Sequence, residues 1–172
     1  MSADADYPAV DLRTLLGEMA ALRAEVRTVR RNAGGVDPSD LDAQISAKRP
    51  DLIVLVGGVH SPTGVVSSAQ RLDQVAAALD HHGVPVLVDG SQATVHMPVD
   101  VADIGCDFYA ITGHKLYGPS GSGAIYVAPA RMREMQPFMG GGDMIREVTR
   151  DVVTYNDPPM MFEAGTPGIV QT

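Results

Sequence analysis

The chain has 172 residues, of which 45% are hydrophobic and 20% are charged, a composition ordinary for one globular domain. Its net charge of -8 and pI near 4.9 argue against nucleic-acid binding, which needs a basic surface. A single cysteine, Cys106, excludes an internal disulfide and favours a reducing compartment. No apolar run is long enough for a membrane span, and the first residues do not resemble a signal peptide, so we predict a cytoplasmic protein without a membrane partner.

Residues 10 to 31 carry apolar side chains in alternating steps of three and four, which is the heptad pattern of a coiled coil. This spacing predicts an amphipathic helix, which the segment Asn32–Gly35 would end. Two interpretations stand side by side: the helix docks on its own domain, or it mediates self-association. Residues 1 to 33 are therefore predicted to form a separate N-terminal segment.

From Val36 onwards the pattern alternates between helix and strand, which predicts an α/β fold with a mostly parallel sheet flanked by helices. After residue 135 we expect a glycine-rich loop and an irregular tail. The predicted elements are a helix from Asp37 to about Lys48, a strand over 51–56, a helix over about 69–81, a strand ending at Asp89, strands near 107–111 and 123–127, and a short helix near 129–135.

Two of these strands end on chemically active side chains. Asp89 follows the apolar run Val86–Val88, and Lys115 follows the strand near 107–111. The carboxyl edge of an open parallel sheet is where ligands bind. A lysine there can attack a carbonyl and form a Schiff base. Taken alone, Asp89 is better explained as the cap of an Asp-Gly turn, whereas with Lys115 nearby it suggests one ligand held between an acid and an amine.

Several separated motifs carry a family resemblance. The segments VLVDGSQA, PVDV, CDFYAITGHKLYGPSGSGAIYV, GGGDMI and FEAGTP occur in this order, and together they resemble the fold-type I, pyridoxal-phosphate-dependent class V aminotransferase family. The resemblance is to its cysteine desulfurase and selenocysteine lyase branch, and it runs from about Gly34 to Pro167. It implies that residues 34 to 172 form the central part of that family's large domain, a partial PLP-transferase fold.

The resemblance also implies roles for individual residues. Lys115 would hold pyridoxal 5'-phosphate as a Schiff base and then act as a proton-transfer base, while Asp89 would pair with the ring nitrogen. Gln92 would donate to the phenolic oxygen, and Thr112 and His114 would bind the phosphate. Thr166 matches a residue that reaches the phosphate of the neighbouring subunit, which implies a homodimer.

Other candidates are weaker. Cys106 falls on the strand that leads to Lys115, and we interpret it as a buried core residue rather than a nucleophile. The glycine-rich segment 118–123 lacks the Gly-Lys-Ser/Thr ending of a P-loop. His60 and His96 have no partners at the spacing of metal ligands, so no metal site is predicted.

The chain also departs from the family pattern. The glycine-threonine loop, the ring-stacking histidine, the persulfide-forming cysteine and the substrate-clamping arginine of the family are not found in it, and Met161 stands where relatives carry an arginine. We therefore expect a truncated protein whose sheet has exposed edges. The leading hypothesis is a PLP-dependent, cysteine desulfurase-like protein that acts on an amino acid through Lys115. The alternatives are a non-catalytic, PLP-binding or dimerising module, and a gene fragment without selected activity.

Overall fold

The computed structural model of the chain describes residues 10–11, 31–32, 35–56, 59–60, 65–66 and 69–169. These residues fall into two compact units. One lies within Arg27–Ala128, and the other combines Pro129–Val170 with the short strand Val10–Asp11. Each unit has its own hydrophobic core.

The described helices include two long ones and several of a single turn. In chain order they are α1 (Pro38–Lys48), α2 (Ala69–His82), α3 (Ala93–His96), α4 (Val101–Ile104) and α5 (Pro129–Met132), with 3-10 turns at Gly113–Lys115 and Met160–Phe162.

The described strands are short throughout. In chain order they are β1 (Val10–Asp11), β2 (Arg31–Asn32), β3 (Gly35–Val36), β4 (Ile53–Val56), β5 (Val59–His60), β6 (Val65–Val66), β7 (Val86–Asp89), β8 (Phe108–Thr112), β9 (Gly123–Val127), β10 (Ile145–Val148) and β11 (Val152–Tyr155).

Helix α1 begins where the sequence predicted. The Asp37 side chain accepts hydrogen bonds from the backbone N–H groups of Ser39 and Asp40, at 3.0 and 3.3 Å, and Pro38 occupies the first turn, where its missing N–H costs nothing. The helix ends at Arg49, whose left-handed backbone (φ 46°) breaks the repeat. This helix supplies half of the layer that covers the sheet.

The main sheet has the strand order β4-β7-β8-β9. Strands β4, β7 and β8 are parallel, whereas β9 runs antiparallel to β8. Helix α2 forms the crossover between β4 and β7, as parallel neighbours require. The prediction of a mostly parallel sheet with flanking helices is therefore confirmed. Within the described residues, β4 and β9 are the two edges of this sheet.

One face of the sheet is covered by α1 and α2. Their side chains Leu41, Ile45, Val75 and Leu79 form a buried cluster, against which Ile53, Leu55 and Val86 of the sheet pack. Side chains alternate between faces along a strand, so Val54 belongs to the opposite face, where 58% of it is exposed. Among the described residues, the sheet is thus well covered on the helix side and more open on the other.

The second unit contains a sheet with the order β1-β11-β10. Its core consists of Met144, Val153, Tyr155 and Met161. The expectation of an irregular tail after residue 135 is wrong, because β10 and β11 form an antiparallel pair. Two charged residues, Arg146 and Glu147, stand in the middle of β10 and hide its strand character.

Of the range 10–31, predicted to be an amphipathic helix, the structure describes only the strand Val10–Asp11 and Arg31 at the start of β2. Residues 12–30 lie outside the described part of the chain, as do residues 61–64. Among the helices that are described, none combines the length and the apolar character needed to cross a membrane.

Candidate functional site

The acid and the amine predicted from the sequence follow neighbouring parallel strands. Asp89 is the last residue of β7 and pairs in register with Ala110 of β8, and the Gly90 N–H extends this ladder by donating to the Ala110 carbonyl oxygen at 2.9 Å. Strand β8 continues to Thr112, and Lys115 ends the 3-10 turn that follows directly. The two residues therefore lie at the same carboxyl edge of the sheet.

The register also decides which side chains share a face. Paired residues of neighbouring strands point to the same side of the sheet, and so does every second residue along one strand. Asp89 pairs with Ala110, and Thr112 follows two residues later, so all three lie on one face. Val86 packs against the α1–α2 cluster, so Asp89, three residues further, belongs to the face opposite those helices. A carboxylate and a hydroxyl are thus brought to one corner of the more open face.

Within the part of the chain that the structure describes, the Asp89 carboxylate accepts one hydrogen bond. Its Oδ1 atom accepts a hydrogen bond from the Ser91 backbone N–H at 3.1 Å, so the turn-capping role that the Asp-Gly pair suggested is present in the structure. Among the described residues no partner is found for Oδ2. Capping the turn therefore uses only one of the two oxygens, and the other stays available for a ligand.

Gln92 belongs to the same turn as Asp89. It is partly buried and directly precedes α3, but its side chain makes no capping hydrogen bond to that helix. Asp89, Ser91 and Gln92 therefore form one compact turn at the end of β7, with the Gln92 amide not committed to the helix.

Lys115 is held by a closed loop. The Gly113 carbonyl oxygen accepts hydrogen bonds from the N–H groups of Leu116 and Gly118, at 2.9 and 2.8 Å, and the Gly113 N–H donates to the Ser122 carbonyl oxygen at 2.8 Å. Within this loop Lys115 is partly buried, whereas its neighbour His114 is exposed. The backbone bonds of Gly113 thus fix where the lysine leaves the sheet.

Thr112 carries the most informative atom of the site. Its Oγ1 atom is buried and has no hydrogen-bond partner within the described residues. A buried polar group without a partner is costly, and it commonly marks a place where an ion or ligand completes the bonding. A hydroxyl donor beside an acid and a lysine fits the needs of a phosphorylated cofactor, so the residues present are compatible with pyridoxal phosphate.

Cys106 is buried, as predicted, with 7% of its surface exposed. Desolvation by burial raises the pKa of its thiol; a backbone hydrogen bond offsets part of this rise, and the Asp107 carboxylate adds to it. The nucleophilic thiolate is therefore disfavoured. The prediction that Cys106 is a core residue is confirmed.

Thr166 lies in the second unit, separate from the residues above. It is exposed and follows Gly165, whose φ of 86° belongs to the left-handed region. The Gly165 N–H donates to the Gly142 carbonyl oxygen at 3.0 Å, which ties this segment to the glycine-rich loop of the same unit.

Two residues near the site were not found by sequence reasoning. The Tyr109 hydroxyl lies 3.2 Å from Thr94 Oγ1, and the same Thr94 atom donates to the Gly90 carbonyl oxygen at 2.9 Å. Tyr109 and Thr94 are fifteen residues apart in the chain, and no local spacing links them, because the register of β7 on β8 brings them together.

Comparison with known proteins identifies relatives of this chain. The family model "Aminotransferase class-V" matches residues 14–172. A probable cysteine desulfurase of Xylella fastidiosa is 39% identical over 155 residues, which cover 90% of this chain and 36% of that protein. The chain thus spans little more than a third of the length of this relative.

Solved structures show the same fold. The cysteine desulfurase CsdA of Escherichia coli matches 93% of this chain and 39% of its own chain, with a TM-score of 0.76 and 34% identity. A C-DES mutant with glycine covalently linked to its PLP cofactor matches 77% of this chain and 34% of its own, with a TM-score of 0.62 and 28% identity. The class V family depends on pyridoxal phosphate. This chain, which contains part of the fold of those enzymes, belongs to the class V aminotransferase family.

Proposed function

We propose that this chain binds pyridoxal phosphate at the carboxyl edge of its main sheet, through Lys115, and supports chemistry on an amino acid there. The observation that carries the proposal is the register of β7 on β8, which puts Asp89 and Thr112 on one face directly before the loop of Lys115. The buried, unpartnered Thr112 Oγ1 supports it independently.

Each residue has a distinct task in this proposal. Lys115 would hold the cofactor through its aldehyde, and its amine would move a proton at the substrate's Cα once the amino acid has displaced it from the cofactor. Asp89, through the oxygen not used by Ser91, accepts a hydrogen bond from the ring nitrogen. Bound pyridoxal phosphate supplies an electron sink for negative charge at Cα. Gln92 donates to the phenolic oxygen, and Thr112 and His114 donate to the phosphate.

We further propose that two copies of the chain share the phosphate site, with Thr166 of one copy reaching the cofactor of the other. The family resemblance of the segment Phe162–Pro167 supports this, and Thr166 is exposed. The working unit would then be a homodimer. The boundary between an N-terminal segment of residues 1–33 and a domain of residues 34–172 stays a prediction.

Sulfur release from cysteine is not part of the proposal for these 172 residues. It requires a thiolate that attacks the substrate sulfur, and the sole cysteine is buried with a raised thiol pKa. A second candidate function, in which the chain binds cofactor without turnover or acts as a dimerising module, likewise needs no thiolate from the buried Cys106.

An absorption titration with pyridoxal phosphate tests the proposal. Wild-type protein should show the visible band of lysine-bound cofactor, and Lys115→Ala should lose it. Lys48→Ala is the matched control, because Lys48 and Lys115 are the two lysines of the chain and Lys48 is exposed at the end of α1. No band in wild type, or an equal band in Lys115→Ala, contradicts the proposal.

Adding amino acids to the loaded protein then separates the two functions. A time-dependent spectral change with an amino acid, without sulfide release from cysteine, supports the catalytic form. A band that no amino acid alters supports the non-catalytic module.

A further inference from the structure

A chain of hydrogen bonds links Tyr109, Thr94 and Gly90 next to the turn that follows Asp89; Tyr109 and Gly90 are buried, and Thr94 is partly buried. Tyr109 is 5% exposed and sits on the helix-covered face of β8, opposite to the face of Asp89. Its hydroxyl lies 3.2 Å from Thr94 Oγ1 in α3. Thr94 Oγ1 in turn lies 2.9 Å from the carbonyl oxygen of Gly90, the residue next to Asp89.

The direction of these hydrogen bonds follows from the groups themselves. The Gly90 carbonyl oxygen is only an acceptor, so the single hydroxyl proton of Thr94 must point to it. Thr94 Oγ1 is then left as an acceptor, and the Tyr109 hydroxyl must donate to it. The result is a polarised chain from Tyr109 through Thr94 to Gly90, in which each hydrogen bond strengthens the next.

Gly90 is confined on several sides. Its carbonyl oxygen also accepts from the Thr94 backbone N–H at 3.0 Å, and its N–H donates to the Ala110 carbonyl oxygen at 2.9 Å. A Cβ at this position would overlap the ring of Tyr109. The Gly90 peptide therefore rests directly on the tyrosine ring, and its orientation depends on the Tyr109–Thr94 pair.

We propose that Tyr109 and Thr94 are positioning residues for the Asp89 carboxylate, acting through the Gly90 peptide. That the positioned carboxylate meets the cofactor's ring nitrogen rests on the proposed function. The effect on the hydrogen bond between Ser91 and Asp89 is independent of the proposed function. The Gly90 carbonyl and the Ser91 N–H belong to one peptide group, and this N–H donates to Asp89. Loosening Gly90 should loosen the carboxylate with it.

Three variants test this. Thr94→Val removes the hydroxyl while keeping the branched shape, Tyr109→Phe removes the donor at the start of the chain, and Thr94→Ser keeps the hydroxyl. Tyr155→Phe is the matched control, since Tyr155 is also buried but belongs to the core of the other unit.

The first measurement is amide hydrogen exchange on protein without cofactor. Loss of one such hydrogen bond should speed exchange of the Ser91 and Gly90 amides about three- to tenfold in Thr94→Val and Tyr109→Phe. Thr94→Ser and Tyr155→Phe should exchange there like wild type. The Ile53 amide, bonded to the Pro85 carbonyl oxygen at the other end of the sheet, should be unchanged in every variant.

The second measurement uses nitrogen-15-labelled pyridoxal phosphate, whose ring-nitrogen chemical shift reports its contact with a carboxylate. Thr94→Val and Tyr109→Phe should move this shift towards that of the free ring and weaken binding about three- to tenfold. The double variant should be little worse than Thr94→Val, because both act through one carbonyl.

The outcomes are distinguishable. Unchanged Ser91 exchange in both single variants overturns the inference, and so does equal acceleration at Ser91 and Ile53, which indicates general destabilisation. If wild type binds no pyridoxal phosphate, the proposed function fails, while the exchange of Ser91 still decides whether Tyr109 and Thr94 position Asp89.

Discussion

Gly113 and Ser122 close the loop that carries Lys115. The Gly113 N–H donates to the Ser122 carbonyl oxygen at 2.8 Å, and a Cβ on Gly113 would overlap Ser122 Oγ, which itself donates to the Pro119 carbonyl oxygen at 2.9 Å. The path of the chain from β8 into the lysine loop thus depends on a residue without a side chain.

Gly113→Ala should therefore displace the loop. We expect the overlap to cost about 1–3 kcal/mol, as overpacking does, and to weaken pyridoxal phosphate binding at least about tenfold, measured by absorption titration. The double variant Gly113→Ala/Ser122→Ala should recover much of the binding, since the overlapping Oγ is gone.

Gly140→Ala is the control for this experiment, because a Cβ there meets no atom within 4 Å. It should bind cofactor like wild type. Normal binding by Gly113→Ala would show that the Gly113–Ser122 closure does not control the lysine.

Cys106 should make the stability of the folded protein decrease as the pH rises into the alkaline range. Burial raises the pKa of its thiol in the folded state, so the folded protein holds the proton more tightly than the unfolded chain. This stability is complete below the unfolded thiol's pKa of about 8.5 and is lost as the pH rises through the folded pKa.

Urea unfolding between pH 7 and 10 measures this effect, and Cys106→Ala should have a flatter pH profile than wild type. Thiol labelling of the native protein at neutral pH should be slow, and it should become fast in urea. Rapid labelling of native protein would contradict the buried position.

The elements with strong local signals could be predicted from the sequence. Asp37 and Pro38 marked the start of α1, and the bounds of β9 agree with the predicted strand 123–127. The hairpin of β10 and β11 was missed, because its stability comes from burying Val153 and Tyr155 against Met144 and Met161, a contact that no local pattern shows.

In the candidate site, too, features with a local sequence signal could be predicted, whereas contacts between distant residues could not. That Asp89 and Lys115 follow adjacent strands was visible in the motifs, and so was the turn-capping role of Asp89, whose Oδ1 atom accepts a hydrogen bond from the Ser91 N–H. The Tyr109–Thr94 contact depends on the register between β7 and β8. Register arises from the pairing of strands that are distant in the chain, so neither strand shows it by itself.

The α1–α2 layer should be a main source of stability for the unit that carries the site. Leu41 is 1% exposed, so Leu41→Ala should lower the free energy of unfolding by about 2–5 kcal/mol. Leu52→Ala is the control, with 43% of the side chain exposed, and should cost much less. Equal losses in urea unfolding would contradict the assignment of this core.

A mixing experiment tests the proposed sharing of sites between two copies. Lys115→Ala and Thr166→Ala should each show a weak or absent cofactor band when alone. In a mixed dimer, one site combines Lys115 from one copy with Thr166 from the other, so unfolding and refolding them together should restore part of the band. A mixture no better than its components, or a monomer by light scattering, would rule out the shared site.

The most direct measurement is borohydride reduction of the protein loaded with pyridoxal phosphate, followed by mass spectrometry of its peptides. The chain offers two lysines, Lys48 and Lys115, and the account predicts the added mass on the Lys115 peptide alone. Modification of Lys48 to the same extent, or of neither lysine, would contradict it.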